Sequence, residues 1–509
     1  MSDLVIVPIL LPAIIAALSL VRMVRLSHLA RWLSGASTLG ILASSLVLFL
    51  WAQDGSISTY ELGDWPAPFG IVMVLDRLSA LMVLLTSVLA VIVFAHAVLT
   101  GLDRRGVHFH PLFQFQLLGL NGSFLTGDLF NLFVFFEVLL IASYGLMLHG
   151  QGEQRLHAGV KYVIVNLVGS TLFLIAVGIL YGVTGTLNMA DMAQRVAEAP
   201  AGDQPLIRVG GQLLIAVFAL KAALLPLHLW LPQTYASTSP AVAALFAILT
   251  KAGVYPIIRV TVLIFGADAG AAAFAPAGWM LPAAMLTILA GYVGVLAARN
   301  LRSLAAFGVI GSTGTLLVAV SLFTPEGIAA ALYYMPHSVL AGGLVFLVTD
   351  LVRRARGEDE DDLRPGRPFA GIGQISVLFM FSAIALAGLP PLSGFVGKVL
   401  ILDASAGEEL MGWIWGAVLV GTFFAILGLA RAGSTLFWKT EGEPAKAPAH
   451  RHPRETVPAW GLLALVAGLT IFAGQVTDYA RDTSAQLFER TPYIDAVLGD
   501  AAQKGEGLR

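Results

Sequence analysis

LKAALLPLHLWLPQTYASTSPAVAALFAILTKAGVYP, residues 220–256, decides how the chain is read. The stretch is apolar enough to lie in a bilayer, yet it holds Lys221, His228 and Lys251 among Pro226, Pro232, Pro240 and Pro256. A lysine at mid-bilayer costs about 2.5–3.5 kcal/mol even on the mildest insertion scales, so two in one stretch need a reason. Proline inside a spanning helix frees a carbonyl that lipid cannot satisfy and only protein or internal water can. These four prolines are therefore expected to break the helices. Buried amines beside opened backbone describe a wet, proton-accessible path inside a helical bundle.

Composition agrees. Of 509 residues, 57% are hydrophobic and only 12% charged, with a mean hydropathy of +0.82. A soluble domain carries about 25% charged residues, so this is an integral membrane protein. The net charge of −2 argues neither for nor against a nucleic acid; the membrane decides the class, and no nucleic-acid partner is expected. The absence of cysteine removes disulfides, thiolate-held iron–sulfur clusters and cysteine nucleophiles together. The first residues, MSDLVIVPILLPAIIAAL, lack a basic leader and read as a retained first helix.

Apolar runs of about 20 residues predict an all-α membrane fold of fourteen helices. They lie at 3–21, 32–52, 72–98, 111–127, 129–149, 160–184, 206–235, 240–265, 277–298, 301–323, 327–350, 371–403, 411–438 and 457–477. The seventh is broken at Leu225-Pro226 and the twelfth at Leu389-Pro390-Pro391, each near a lysine, Lys221 and Lys398. Interrupted segments at corresponding places in two halves point to a transporter site. Five helices per half set the repeats at helices 4–8 (residues 111–265) and 9–13 (266–438), after helices 1–3 (1–110) and before a loop, helix 14 and tail (439–509).

Basic residues orient the chain. With both termini outside, the inside loops hold Arg22, Arg25, Arg31, Arg104, Arg105, Arg155, Lys161, Arg299 and Arg302. They also hold Arg353, Arg354, Arg356, Arg364, Arg367, Lys439, Lys446, Arg451 and Arg454. The outside loops hold only Arg77, Arg195 and Arg208. So strong a Lys/Arg bias fixes the topology. Residues 53–71 read as a short external hairpin, 186–199 as an external amphipathic helix, and 353–367 as a solvated inside loop. The tail from residue 477 onward reads as polar and surface-bound.

Few ionisable groups remain at membrane depth: Glu137, Lys221, Lys251, Arg259, Lys398 and Arg431. Glu137, in LFNLFVFFEVLLIASYGLM, has eight residues on each side before a polar loop and cannot snorkel out. A Glu–Lys pair that is made and broken changes how tightly the lysine holds its proton, which is a release device. His228 follows Lys221 by seven residues, two turns along one face of a continuous helix. His337, after Pro336, is placed to link the lysines. Arg259 and Arg431 read as interface or packing residues, and Asp76, Asp128 and Asp350 lie near enough to helix ends to reach the interface. The glycines of Gly308-Val-Ile-Gly311-Ser-Thr-Gly314 read as small-residue helix packing. No HExxH or Walker sequence occurs, and no cofactor or metal is expected.

TGDLFNLFVFFEVLLIASYGLM, the 220–256 stretch and LAGLPPLSGFVGK resemble the antiporter-like subunits shared by respiratory complex I and the Mrp multisubunit cation/proton antiporters. The fifth-helix sequence and length are most like the D subunit of Mrp. The resemblance implies inverted repeats with broken helices 7 and 12, a hydrated axis along mid-membrane, and a bacterial cytoplasmic membrane. It assigns Glu137 and Lys221 to a Glu–Lys pair, Lys251 to a central relay lysine and Lys398 to an outer one, with His228 and His337 on the path. The expected partners are other membrane subunits, protons, Na+ or a similar monovalent cation, and the bilayer. The rivals are a proton-pumping subunit of complex I and a scaffold whose buried charges only hold the bundle together.

Overall fold

A computed structural model describes residues 2–22, 27–441 and 453–499. Arg25, Lys446 and Arg451 of the inside loops, most of the 439–456 loop and residues 500–509 of the tail lie outside the described residues.

Helices α1 (Val7–Arg22) and α2 (Ser27–Ala52) lead into a hairpin of β1 (Ser58–Glu61) and β2 (Val72–Leu75). The two strands pair antiparallel, Ser58 opposite Leu75. The hairpin predicted at 53–71 thus extends further, and the third helix does not begin at 72. Val72-Met-Val-Leu75 is buried on both faces and carries β-branched side chains at Val72 and Val74, which suit a strand. Asp76 then starts α3 (Arg77–Leu99) through a reciprocal capping box with Ser79.

Next come α4 (Phe109–Leu125), α5 (Leu129–Leu148), α6 (Glu153–Thr184) and the short amphipathic α7 (Met189–Ala197), capped by Asn188. The first broken helix is α8 (Gln204–Lys221) and α9 (Trp230–Ser237). Then follow α10 (Pro240–Phe246) and α11 (Leu249–Leu263). Pro240 opens a helix at its first position, where no amide bond is lost. Pro232 and Pro256 lie within helices that run on, so neither breaks the chain as expected. The discontinuity falls instead at residues 247–248, between α10 and α11, beside Thr250 and Lys251.

The second half holds α12 (Ala277–Ala297), α13 (Leu301–Ser321), α14 (Pro325–Arg356), the broken pair α15 (Ile372–Ala387) and α16 (Ser393–Ala404), and α17 (Met411–Gly433). Glycines let α12 and α13 touch at the backbone: a Cβ on Gly291 would lie 2.2 Å from the Gly311 amide, and one on Gly314 2.6 Å from that of Ile288. α18 (Val457–Ile471) ends earlier than the predicted 477. The chain bends by 77° into α19 (Ala473–Phe488), and α20 (Arg490–Leu498) follows. Through residue 499 the tail is therefore helical and packs against the bundle. Tyr479 donates to the Arg77 carbonyl at 2.7 Å, and Ser484 to that of Pro325 at 2.7 Å.

Among the described residues, nine helical segments are long and apolar enough to cross a membrane, ten if the bent α18–α19 pair counts as one. Their burial is uneven. The α10–α11 span and α14 are shielded in their central windows, whereas α2, α6 and α17 expose most of theirs. A helix hidden on all sides can carry charge that a lipid-facing helix cannot.

Two ion clusters pin the ends of the bundle. Arg259 of α11 grips Asp76 with both guanidinium nitrogens, at 2.6 and 2.8 Å, and lies over the rings of Tyr255 and Tyr493. Asp76 is 1% exposed and does not reach the interface as its helix-end position suggested. Arg31, Asp103 and His110 join α2 and α4 at the other end. Burial pushes the Asp103 carboxyl up, but the His110 hydrogen bond and Arg31 outweigh it and hold it below the usual carboxylate value.

Breaking a buried pair by removing one partner costs about 3–5 kcal/mol. Asp76→Ala should therefore lower the melting point of the purified protein sharply. Asp76→Ala combined with Arg259→Leu should recover most of that loss, short of the cap, which is worth about 1 kcal/mol.

Candidate functional site

Lys251 sits three residues past the 247–248 discontinuity and is fully buried. Its ammonium donates to Thr250 Oγ1 at 3.1 Å and to Thr313 Oγ1 of α13 at 3.3 Å. Gly253, two residues on, packs against the end of α8: a Cβ there would lie 2.5 Å from the Ala222 amide. The helical turn bearing Lys251 therefore abuts the backbone next to Lys221.

Lys398 sits on α16, just past the second break. Its ammonium donates to the carbonyl of Ala387, the last residue of α15, at 2.8 Å, and to Thr422 Oγ1 of α17 at 2.6 Å. The ring of Tyr292 lies 5.4 Å away. The break does here what the proline argument demands: it frees a carbonyl and a buried cation takes it. Gly388 makes this possible, since it adopts φ +71° and a Cβ would stand 2.8 Å from Lys398 Cε.

His337 of α14 hydrogen-bonds through Nδ1 to Ser393 Oγ, the first residue of α16, at 2.9 Å. Hydroxyls lie between it and Lys251. Ser312, next to Thr313, meets Ser338 at 2.7 Å and Tyr334 at 3.2 Å, and these two flank His337 on α14. Lys251, His337 and Lys398 thus lie along an interrupted chain of hydroxyls on α11, α13, α14, α16 and α17, with Thr250 and Thr313 at Lys251, Ser312, Ser338 and Tyr334 as a separate group, Ser393 at His337, and Thr422 at Lys398.

Lys221 is different. Its ammonium is buried, has no hydrogen-bond partner among the described residues, and stands 5.0 Å from the centre of the Phe136 ring. A cavity of about 20 Å³, lined by Lys221, Asn166, Tyr162 and Trp230 among others, adjoins it. About 10–15 Å³ admits one water. Glu137 instead accepts a short hydrogen bond from Ser170 of α6. No ion pair within 4.0 Å joins Glu137 to Lys221 among the described residues. The expected pair is open in this structure.

His228 does not join the chain. The helix stops at Lys221, so a seven-residue spacing no longer means one face, and His228 lies in a 3-10 turn with its buried Nδ1 unpartnered among the described residues. Close to this break the Leu220 carbonyl accepts from Trp230 Nε1 at 3.1 Å as well as from the Ala223 amide at 3.0 Å. Arg431 binds the carbonyl of Ala298 at the end of α12, a packing role in keeping with its place in the sequence. Outside the spans, Asp128 caps α5, and burial raises its carboxyl to about 6 despite the amide hydrogen bond from Asn131.

Sequence reasoning misses the hydroxyls. Ser170, Thr250, Ser312, Thr313, Tyr334, Ser338, Ser393 and Thr422 lie inside apolar runs and look neutral there. A signal exists in Gly311-Ser-Thr-Gly314, where glycines pack one side of α13 while Ser312 and Thr313 face the other.

The family described as NADH:quinone oxidoreductase/Mrp antiporter, TM, matches residues 126–426. The chain belongs to this family. It is 40% identical over 536 residues to the D subunit of a probable K+/H+ antiporter of Rhizobium meliloti, covering 98% of each chain. It is 37% identical to the D subunit of a Na+/H+ antiporter of Bacillus subtilis, covering 98% of this chain and all of the relative. In three dimensions it is similar to a chain of the Mrp complex of a Dietzia species, with a TM-score of 0.88 at 29% identity over 98% of this chain and 100% of that one. A chain of respiratory complex I from Thermus thermophilus matches with a TM-score of 0.78 at 25% identity, over 95% and 99%.

The left-handed φ at Gly388 costs any other residue about 1–2 kcal/mol, before its contact with Lys398. Gly388→Ala should lower the melting temperature of the detergent-solubilised protein. Gly373→Ala, where a Cβ meets nothing within 4 Å, should leave it unchanged.

Proposed function

We propose that this chain is the proton-translocating subunit of a multisubunit monovalent cation/proton antiporter in a bacterial cytoplasmic membrane. The observation carrying this reading is the placement of Lys251, His337 and Lys398 in the protein interior, each amine or ring bonded to at least one hydroxyl. Whole-length similarity to the D subunits of cation/proton antiporters supplies the class.

In this reading the shorter and broken helices complete fourteen crossings in two inverted five-helix repeats, with both termini outside. A proton passes between Lys221, Lys251 and Lys398 through water, hydroxyls and His337. Lys221 accepts it while Glu137 is held by Ser170, and formation of the Glu137–Lys221 pair alters how tightly that proton is held. His228 stands at the mouth of the first break, apart from the lysines. Sodium or potassium needs oxygen ligands and is repelled by three amines, so the cation crosses at another subunit of the complex.

A second reading, a pump subunit of a complex I-type assembly, draws on the likeness to the Thermus chain. Co-purification separates the two: small membrane subunits support the antiporter, and iron–sulfur subunits support the pump.

Two measurements test the proposal. Glu137→Ala or Lys221→Ala, in an assembled complex in vesicles, should abolish ΔpH-coupled cation exchange while leaving subunit stoichiometry intact. Wild-type exchange would remove the relay. Because the chain lacks cysteine, single cysteines can also report topology cleanly. Ser56→Cys should label from outside only and Arg367→Cys from inside only.

A further inference from the structure

A large cleft lies apart from the lysines. It has a volume of about 620 Å³ and is framed by α2, α3, α14, α18 and α19. That volume falls within the about 300–1,000 Å³ usual for ligand sites. Its two ends differ in chemistry. Gln53, Arg77, Gln475, Asp478 and Asp482 form one end, where α3 begins and α19 turns away from α18 by 77°. Leu81, Leu84, Leu85, Val88 and Leu465 form the walls, and Pro336 and Leu340 of α14 the floor.

The dimensions match a lipid leaflet. From Arg77 to Val88 the cleft follows α3 for eleven residues, about 16 Å at 1.5 Å per residue. Half of a hydrocarbon core about 30 Å thick is about 15 Å. The polar end therefore lies at headgroup level and the floor near mid-bilayer. Exposed apolar side chains, Leu46, Val47 and Leu50 on one side and Ile471 and Phe472 on the other, place the cleft on the lipid-facing surface.

Charge selects among lipids. Arg77 binds Asp482 at 2.7 Å and the Gln53 carbonyl at 2.7 Å, but its buried Nε has no hydrogen-bond partner among the described residues. A guanidinium with a free N–H is suited to a phosphate oxygen. Asp478 is largely exposed, and its ion-pair partner, Arg481, stands 3.8 Å off, so it remains open to a cation. Arg77 and Arg481 against Asp478 and Asp482 leave the rim without net charge, which suits a headgroup carrying both phosphate and ammonium. We propose that this cleft is a structural lipid site that seats one phosphatidylethanolamine, its phosphate at Arg77, its ammonium at Asp478 and an acyl chain running to Pro336, next to His337. The inference rests on the bilayer placement alone and holds whichever ion the chain moves.

The test is native mass spectrometry, with lipid extraction, of the whole complex purified through several detergent exchanges. Phosphatidylethanolamine should remain bound to the wild type. Leu84→Trp, which fills the cleft, should lose it. Asp478→Lys, at an exposed position that the fold does not depend on, should switch the retained lipid to phosphatidylglycerol. The proposal is overturned if no phospholipid is retained, if the same lipid survives both substitutions, or if Leu84→Cys cross-links to a partner subunit that fills the cleft.

Discussion

An ammonium that cannot reach water must be met by partners inside the protein, and this constraint explains the arrangement of the helices. Lys251 and Lys398 each make two hydrogen bonds. Bonds to a charged group contribute about 1.5–3 kcal/mol each, so two offset an insertion cost of about 2.5–3.5 kcal/mol. Among the described residues Lys221 has no hydrogen bond and faces the Phe136 ring, a contact worth about 2 kcal/mol when desolvated. The shortfall is one water's work, and the cavity beside it has room for one. Lys221 is thus the amine with the fewest protein partners of the three.

The breaks supply what continuous helices withhold. At the second break the Ala387 carbonyl turns to Lys398, and at the first the Leu220 carbonyl turns to Trp230. Corresponding interruptions therefore do unequal work. One satisfies its lysine, and the other leaves its lysine open to exchange partners. The discontinuity between α10 and α11 sets Thr250 and Lys251 at the start of a helix facing Thr313. Shielding completes the design, because α11 and α14 carry Lys251 and His337 behind outer helices that take the lipid contact.

Hydropathy and the two proline-marked breaks make the helices, and the residues worth watching, legible in the sequence. What escapes it depends on tertiary contact. Pro256 and Pro336 sit inside running helices because buried neighbours tolerate the lost amide bond, whereas the 247–248 discontinuity has no proline at all. Val72–Leu75 is as apolar as any helix start, and only the pairing with β1 makes it a strand. Asp76 reads as interfacial in the sequence because Arg259 lies 183 residues away in the chain. Hydroxyls inside apolar runs are ambiguous one by one, since serine and threonine often bond back to their own helix, as Thr315 does to Gly311.

If the amines are retained for transport and not for architecture, an apolar residue of similar shape should be tolerated where one of them stood, since buried charge is weak evidence for stability. The most direct measurement is the coupled exchange rate per assembled complex carrying Lys251→Met, read beside its melting temperature. The account predicts a complex that assembles and melts no lower than the wild type but exchanges nothing. Wild-type exchange, or loss of assembly without the amine, would contradict it.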